Sequence, residues 1–168
     1  FSKLPIGPFR IPVNNWKSPE GFYLGVGLTN IKSTRQIVDK LDKIGPEKVF
    51  DLLVGSGATA EQARAALALA EINAPDGSFV ERVNALGVHH ETLTQGLDEL
   101  AAVLRAGAGL ASGLMVADLK VARGLDYYTG TVYETQLVGH ESYGSVCSGG
   151  RYDALASEGR RTYPEIGS

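Results

Sequence analysis

The strongest constraint in this sequence is a change of hydrophobic period. From Ile31 to about Arg105 apolar residues recur every three or four positions, the spacing of amphipathic helices. A glycine- and alanine-rich link follows at 107–113, and beyond it apolar residues recur at every second position, as in strands. In the first block Ile37, Leu41 and Ile44 share a face until Gly45-Pro46 ends that helix and starts the next. Val49, Leu52 and Leu53 follow, closed by Gly55. Thr59 with Gln62, and Ser78 with Glu81, read as capping boxes. They open helices carrying Ala63, Ala66, Leu67 and Ala70, then Phe79, Val83 and Leu86. Leu93, Leu97, Leu100, Ala101 and Leu104 make the longest stripe. These helices can bury their stripes on one another, so 31–112 is predicted to be a helical subdomain. Segments 1–30 and 113–168 are predicted to supply the sheet, and the fold class is α+β.

The flanks read less regularly. Phe9 to Val13 suits a short strand that Pro12 confines to a sheet edge. Asn14-Asn15 is a turn signal, and Ser18-Pro19-Glu20 opens a short helix. Met115 through Val121, Thr131 through Val138, and Ser145 to Cys147 are the later strands, and Asp153 is placed to cap a final helix through Ala156.

With 168 residues the chain has room for one domain, or one domain carrying a subdomain. A net charge of -3 excludes a generally basic nucleic-acid binder but leaves room for a local basic face. The lone Cys147 forms no internal disulfide, and with His89, His90 and His140 it makes no zinc spacing. No apolar run approaches the roughly 20 residues a membrane helix needs. The compartment read from this usage is cytoplasmic. A start at Phe1-Ser2-Lys3 without methionine, and an abrupt end at Tyr163-Pro164-Glu165, suggest a piece of something longer.

Two stretches have the composition of a pocket: Arg123-Gly124-Leu125-Asp126-Tyr127-Tyr128-Thr129-Gly130-Thr131-Val132-Tyr133-Glu134, and Gly149-Gly150-Arg151-Tyr152-Asp153. Extending the alternation of Ala117, Leu119 and Val121 places Arg123 on the apolar face. There a guanidinium either snorkels to water or meets an anion, for which its planar fork is suited. Gly124 and Gly130 relieve the backbone on both sides. Tyr127 and Tyr128, being adjacent, point to opposite faces of an extended chain, so at most one shares a cavity with Arg123. Gly149-Gly150-Arg151-Tyr152-Asp153 lacks the length and lysine of a P-loop and reads as a tight turn feeding a short helix. Glu134 reads as solvent-facing. His89-His90 reads as a cap or a surface pair. Lys32, Arg35, Lys40 and Lys43, interleaved with Asp39 and Asp42, read as a solvated helix face, with contact to a polyanion as the alternative.

Taken together, the Arg123–Glu134 run and Ser145-Val146-Cys147-Ser148-Gly149-Gly150-Arg151-Tyr152-Asp153 resemble the histidyl-tRNA synthetase family. The first is similar to its histidine-specific signature and the second to its glycine-rich partner. Val13-Asn14-Asn15 with Gly21-Phe22-Tyr23 is similar to the strand after class II motif 2. Val38-Asp39-Lys40-Leu41-Asp42-Lys43-Ile44 is similar to the opening of the family's helical insertion domain. The resemblance implies part of the antiparallel class II catalytic sheet carrying that insertion, which leans over the tRNA acceptor arm. It implies that Arg123 contacts the α-phosphate of ATP and then the histidyl-adenylate. It also implies that Tyr128 hydrogen-bonds the histidine imidazole, that Tyr152 and Tyr127 line the same pocket, and that Gly149 and Gly150 keep the backbone clear of substrate. Trp16 stands where the family often carries arginine, and Pro12 where a strand residue is usual.

By the same resemblance the parent is a homodimer without a membrane segment. It uses ATP with Mg2+ to activate histidine and transfers it to tRNA(His). Motif 1, the motif 2 loop, the motif 3 arginine and the anticodon-binding domain are expected to lie outside this chain. The fragment alone is therefore expected to be inactive, with no cofactor of its own. Two alternatives stand beside this: the synthetase-like regulatory subunit of ATP phosphoribosyltransferase, and a tRNA-binding module.

Overall fold

The computed structural model describes residues 7–109, 113–121, 128–153, 157–158, 161–162 and 165–167. The chain begins with β1 (Phe9–Asn15) and α1 (Lys17–Gly25), and continues through α2 (Ile31–Val38), α3 (Leu41–Gly55) and α4 (Ala60–Ala70). After β2 (Asn73–Ala74) come α5 (Ser78–Asn84) and α6 (Glu91–Gly107), then β3 (Met115–Asp118), β4 (Thr131–Leu137) and β5 (Ser145–Tyr152). Three short strands close the order: β6 (Ser157–Glu158), β7 (Arg161–Thr162) and β8 (Glu165–Gly167). The main sheet has six strands ordered β2-β3-β1-β4-β5-β8, antiparallel except for the β1–β3 pair. β6 and β7 form a separate two-stranded ribbon. The fold is thus α+β, with the helical run and the strands that the change of period predicts and the antiparallel sheet that the resemblance implies. Among the described residues no helix is long and apolar enough to cross a membrane.

Local chemistry explains most of the helix boundaries. Gly45 takes a φ of 81°, which breaks α3 where Gly45-Pro46 predicts a stop and a restart. The Thr59 box forms in full: Thr59 Oγ1 accepts from the Gln62 amide at 3.2 Å and Gln62 Oε1 accepts from the Thr59 amide at 2.9 Å. Gln62 Nε2 also donates to the Val26 carbonyl at 3.0 Å, tying α4 to the end of α1. The Ser78 box does not form. Ser78 is already inside α5, and its amide donates to Asp76 Oδ1 at 2.9 Å, so an ionised acceptor two residues earlier takes the role. At α6, His90 Nδ1 accepts from the Thr92 amide at 3.2 Å, the capping use of the histidine pair.

The edge assignment of Pro12 is overturned, since β1 is an interior strand between β3 and β4. The registered pairs with β4 run Phe9–Leu137 and Arg10–Gln136, then resume at Val13–Tyr133. The ladder skips Pro12, whose ring nitrogen has no hydrogen to donate. Asn14-Asn15 is likewise no turn. Both are fully buried at the end of β1, where their amide side chains bond to the backbone and side chains of distant segments.

The stripes of all the helices and one face of the sheet share a continuous core, from Val13 through Phe22, Leu53, Leu69, Phe79 and Leu100 to Ala117 and Leu119. Burial pushes the Tyr23 phenol far above its ordinary pKa, partly offset by the Arg35 charge, so it is a neutral core residue. The tightest contact in this core is between α1 and α6. A Cβ added at Gly21 would land on the Leu93 backbone, and one at Gly96 on the Ser18 backbone. Alanine is favoured over glycine in a helix by about 1 kcal/mol. At these two positions steric overlap with an immovable backbone reverses that preference. Gly96→Ala is expected to lower the stability read by chemical denaturation by about 1–3 kcal/mol, the usual cost of overpacking. A gain would show that the helices are free to separate.

Candidate active site

The two pocket-like stretches meet across the ladder between β4 and β5, where Val132 pairs with Gly150 and Tyr133 with Gly149. Gly149 and Gly150 are therefore mid-strand residues, not the turn that their composition predicts. Their neighbours on both sides, β4 and β8, hold that backbone extended. Asp153 binds elsewhere than a helix end: Oδ2 accepts from Thr129 Oγ1 at 2.7 Å and Oδ1 from Arg151 Nε at 3.0 Å. The Thr129 amide donates to the Arg151 carbonyl at 2.9 Å. These bonds staple the segment entering β4 to the segment leaving β5. The Thr129 hydroxyl, then Arg151, hold the Asp153 carboxyl below the usual carboxylate range. Residues 154–156, where a final helix was predicted, lie outside the described residues.

A second, smaller apolar cluster contains Trp16, Val121 and Val132, with Tyr128 packed against it. The Tyr128 ring lies 6.5 Å from that of Tyr152 between centroids, tilted by 45°. A Cβ at Gly150 would sit 2.8 Å from Tyr128 Cδ1 and 2.9 Å from the Thr131 carbonyl oxygen. Only glycine lets the ring approach the strand this closely. Gly149 serves a different contact. A Cβ there would land on the Gly167 carbonyl oxygen of β8 and on the Tyr133 hydroxyl, and Tyr133 packs against the main core. The glycine pair is thus divided, with Gly150 beneath Tyr128 and Gly149 beneath Tyr133.

Arg123 and Tyr127 lie outside the described residues, but the chain just ahead of them is clear. β3 ends at Asp118, and the Val121 amide donates back to the Asp118 carbonyl at 3.2 Å, so a turn replaces the last part of the predicted strand. Asn14 Nδ2 pins that turn through the carbonyls of Leu119, at 3.2 Å, and Val121, at 3.0 Å. Ala117 belongs to the main core, whereas Val121 belongs to the Trp16 cluster. The chain changes partners at the turn, and the strand alternation that includes Ala117 ends at Asp118.

Glu134 is 5% exposed, which corrects the solvent-facing assignment. It accepts from Gln136 Nε2 at 3.3 Å, and Gln136 Oε1 accepts from Arg10 Nε at 3.2 Å. These three residues line a cavity of about 510 Å³ together with Asp42, Lys43 and Lys120. Lys120 and Asp42 are paired at 2.9 Å across it. Burial raises the nearby Asp118 carboxyl above its ordinary pKa, with Lys120 opposing. Among the described residues no group of three His, Cys, Asp or Glu side chains could hold a metal ion.

Trp16 is the residue that composition alone passes over. It is 6% exposed, its amide donates to the Gly130 carbonyl at 2.9 Å, and the Arg35 guanidinium lies 3.9 Å over its ring. Arg35 is thus taken out of the solvated face predicted for its helix. The Trp16 indole N–H is buried without an acceptor among the described residues, an arrangement costing about 1–3 kcal/mol. The signal in the sequence is the only tryptophan of the chain, directly after two asparagines. Its neighbours fix it: Glu99 of α6 accepts from Asn15 Nδ2 at 2.7 Å and from Lys17 Nζ at 2.5 Å. Burial alone would raise the Glu99 carboxyl, but the bonds from Lys17 and Asn15 outweigh it and hold the group low.

Comparison with known proteins adds a family and a size. The family model described as histidyl-tRNA synthetase matches residues 28–168. The chain is 61% identical over 165 residues to the histidine–tRNA ligase of Micrococcus luteus, covering 98% of this chain but 36% of that protein. It superposes on the crystal structure of histidyl-tRNA synthetase from Nostoc sp. PCC 7120 with a TM-score of 0.84 and 37% identity, over 92% of this chain and 38% of the other. An ATP phosphoribosyltransferase regulatory subunit/histidyl-tRNA synthetase from Bacillus halodurans C shares the fold, with a TM-score of 0.68 at 19% identity and 38% of that chain covered. The chain therefore spans little more than a third of the length of these relatives.

Two outcomes follow from the geometry. Gly150→Ala is expected to displace the Tyr128 ring and cost about 1–3 kcal/mol, read as a lower Tm and an altered near-ultraviolet circular dichroism spectrum. Glu99 has a folded pKa below its unfolded value near 4.3. The stability it contributes is therefore whole above the unfolded value and is lost as the pH falls through the folded one. Acid titration of Tm should show that loss, and Glu99→Gln should flatten it. An unchanged acid limb in Glu99→Gln would place the titrating group elsewhere.

Proposed function

Because the chain belongs to the histidyl-tRNA synthetase family, we propose that it supplies the histidine-facing half of the active site of a longer histidine–tRNA ligase. In this reading the whole enzyme activates histidine with ATP to histidyl-adenylate and then transfers it to tRNA(His). The observation that carries the proposal is the Tyr128–Tyr152 wall held over Gly150. A phenol both donates and accepts, so it can meet either nitrogen of an imidazole. Tyr128 hydrogen-bonds the substrate ring, Tyr152 closes the wall, and Gly150 gives the backbone clearance. Tyr127 lines the same pocket in this proposal, while Gly149 supports the sheet beneath Tyr133.

Arg123 is assigned the α-phosphate of ATP, where a fixed positive charge stabilises the negative charge that develops as the histidine carboxylate attacks. Mg2+ would enter with the ATP phosphates and neutralise charge there. The helical segment 31–112 takes the part of the insertion domain beside the tRNA acceptor arm, between sheet segments 1–30 and 113–168. The proposed ligase is a cytoplasmic homodimer. The regulatory-subunit alternative has only the shared fold in its favour.

Histidine binding to the 168-residue chain, measured by calorimetric titration, tests the assignment. Tyr128→Phe is expected to weaken it about tenfold, the equivalent of one hydrogen bond, with Tm unchanged. Unaltered affinity would remove Tyr128 from the site. The chain alone is expected to give no histidine-dependent ATP–pyrophosphate exchange, and detectable exchange would overturn the division of the site between this chain and the rest.

A further inference from the structure

We propose that Trp16 is a positioning residue for Tyr128, and that the Arg35 guanidinium stacked on it makes the placement of that tyrosine depend on helix α2. The inference rests on the reading of Tyr128 as a histidine contact, but its structural part can be tested separately.

The indole stands between two parts of the molecule that are far apart in sequence. On one side it joins Val121 and Val132 in the small apolar cluster against which Tyr128 packs. On the other side Arg35 of α2 lies 3.9 Å over its ring, well inside the distance at which a cation is held by the face of an indole. Its backbone is held by its own amide and through the side chains of its two neighbours. The Trp16 amide donates to the Gly130 carbonyl, two residues beyond Tyr128. Asn15 and Lys17, on either side, both bind Glu99 of α6. With its backbone pinned and one face under a guanidinium, the indole has little freedom left, and the face of its cluster is the support behind Tyr128. Gly150 leaves no slack on the strand side. A shift of α2 therefore reaches Tyr128 through the indole. A buried indole N–H with no acceptor among the described residues fits a residue kept for shape rather than for its hydrogen bond.

The chain's single tryptophan and its tyrosines make this measurable. The chain is labelled with 3-fluorotyrosine, and the Tyr128 signal is identified by its loss in Tyr128→Phe. Arg35→Gln is expected to move or broaden that signal and to raise acrylamide quenching of Trp16 emission, while the signal of Tyr133, packed against the main core, stays put as the folding control. Arg35→Lys keeps a cation for the ring and is expected to restore both readouts. Histidine affinity is expected to fall about threefold to tenfold in Arg35→Gln, more in Trp16→Leu, and to recover in Arg35→Lys. A Tyr128 signal indifferent to Arg35→Gln, or equal effects of glutamine and lysine, would overturn the coupling whether or not histidine binds. A responsive Tyr128 in a chain that binds no histidine would sustain the coupling and remove the histidine assignment instead.

Discussion

The molecule depends on how closely α1 and α6 approach. Gly21 and Gly96 have no side chains to hold the helices apart, and each faces the other helix's backbone. α1 follows β1 after one residue, and α6 packs against β1 and β3, so this contact also fixes the end of the central strand. Asn15, Trp16 and Lys17 occupy that end. Glu99, one turn of α6 beyond Gly96, takes hydrogen bonds from the first and last of the three. The ion pair is partly exposed, so solvent screening discounts what it adds to stability. Its value is geometric, since a charge-assisted bond on either side of Trp16 holds the backbone that carries the indole.

What could be read from the sequence divides along a physical line. Where the determinant is local, the reading holds: Gly45-Pro46 breaks α3, and Thr59 with Gln62 forms its box because three residues supply both partners. Where the determinant is the strand across the ladder, local rules mislead. Pro12 is tolerated in an interior strand because the β4 ladder opens opposite it. Asn14 resembles a turn residue, yet its amide bonds to the Leu119 and Val121 carbonyls, more than a hundred residues away. Ser78 loses its capping role to Asp76, a stronger acceptor slightly earlier in the chain.

The glycine pair and Glu134 show the same limit at the candidate site. Gly149-Gly150 has the composition of a turn, but each glycine faces a different aromatic ring on β4 or just before it, and a neighbouring strand's backbone oxygen as well. Nothing within the pentapeptide reveals this, because Tyr128 and Tyr133 reach it only through the register of β4 and β5. Glu134 sits on a strand rich in threonine and tyrosine, where exposure is the ordinary expectation for a carboxylate. It bonds to Gln136, which the β1–β4 pairing brings opposite Arg10, a juxtaposition no local pattern reveals. The paired stretches themselves were visible as glycines beside aromatic and charged residues, a composition poorly suited to a core.

Chain order gives the tyrosine wall a particular mechanical setting. Trp16 precedes the helical block and Tyr128 follows it, yet the two pack in one cluster. The block is therefore a long excursion whose two ends are held side by side, by the β1–β3 and β1–β4 pairings and by Asn14 across the turn after β3. The excursion meets its root at several places, through β2 in the sheet and through α6 against α1, β1 and β3. Two of its side chains reach the segment Asn15-Trp16-Lys17: Arg35 from α2 and Glu99 from α6. Glu99 holds the neighbours of Trp16 through charge-assisted bonds of fixed direction, whereas Arg35 holds its ring through a contact that tolerates sliding. The α6 contact thus sets where the wall stands, and the softer α2 contact is the one through which its position can be adjusted.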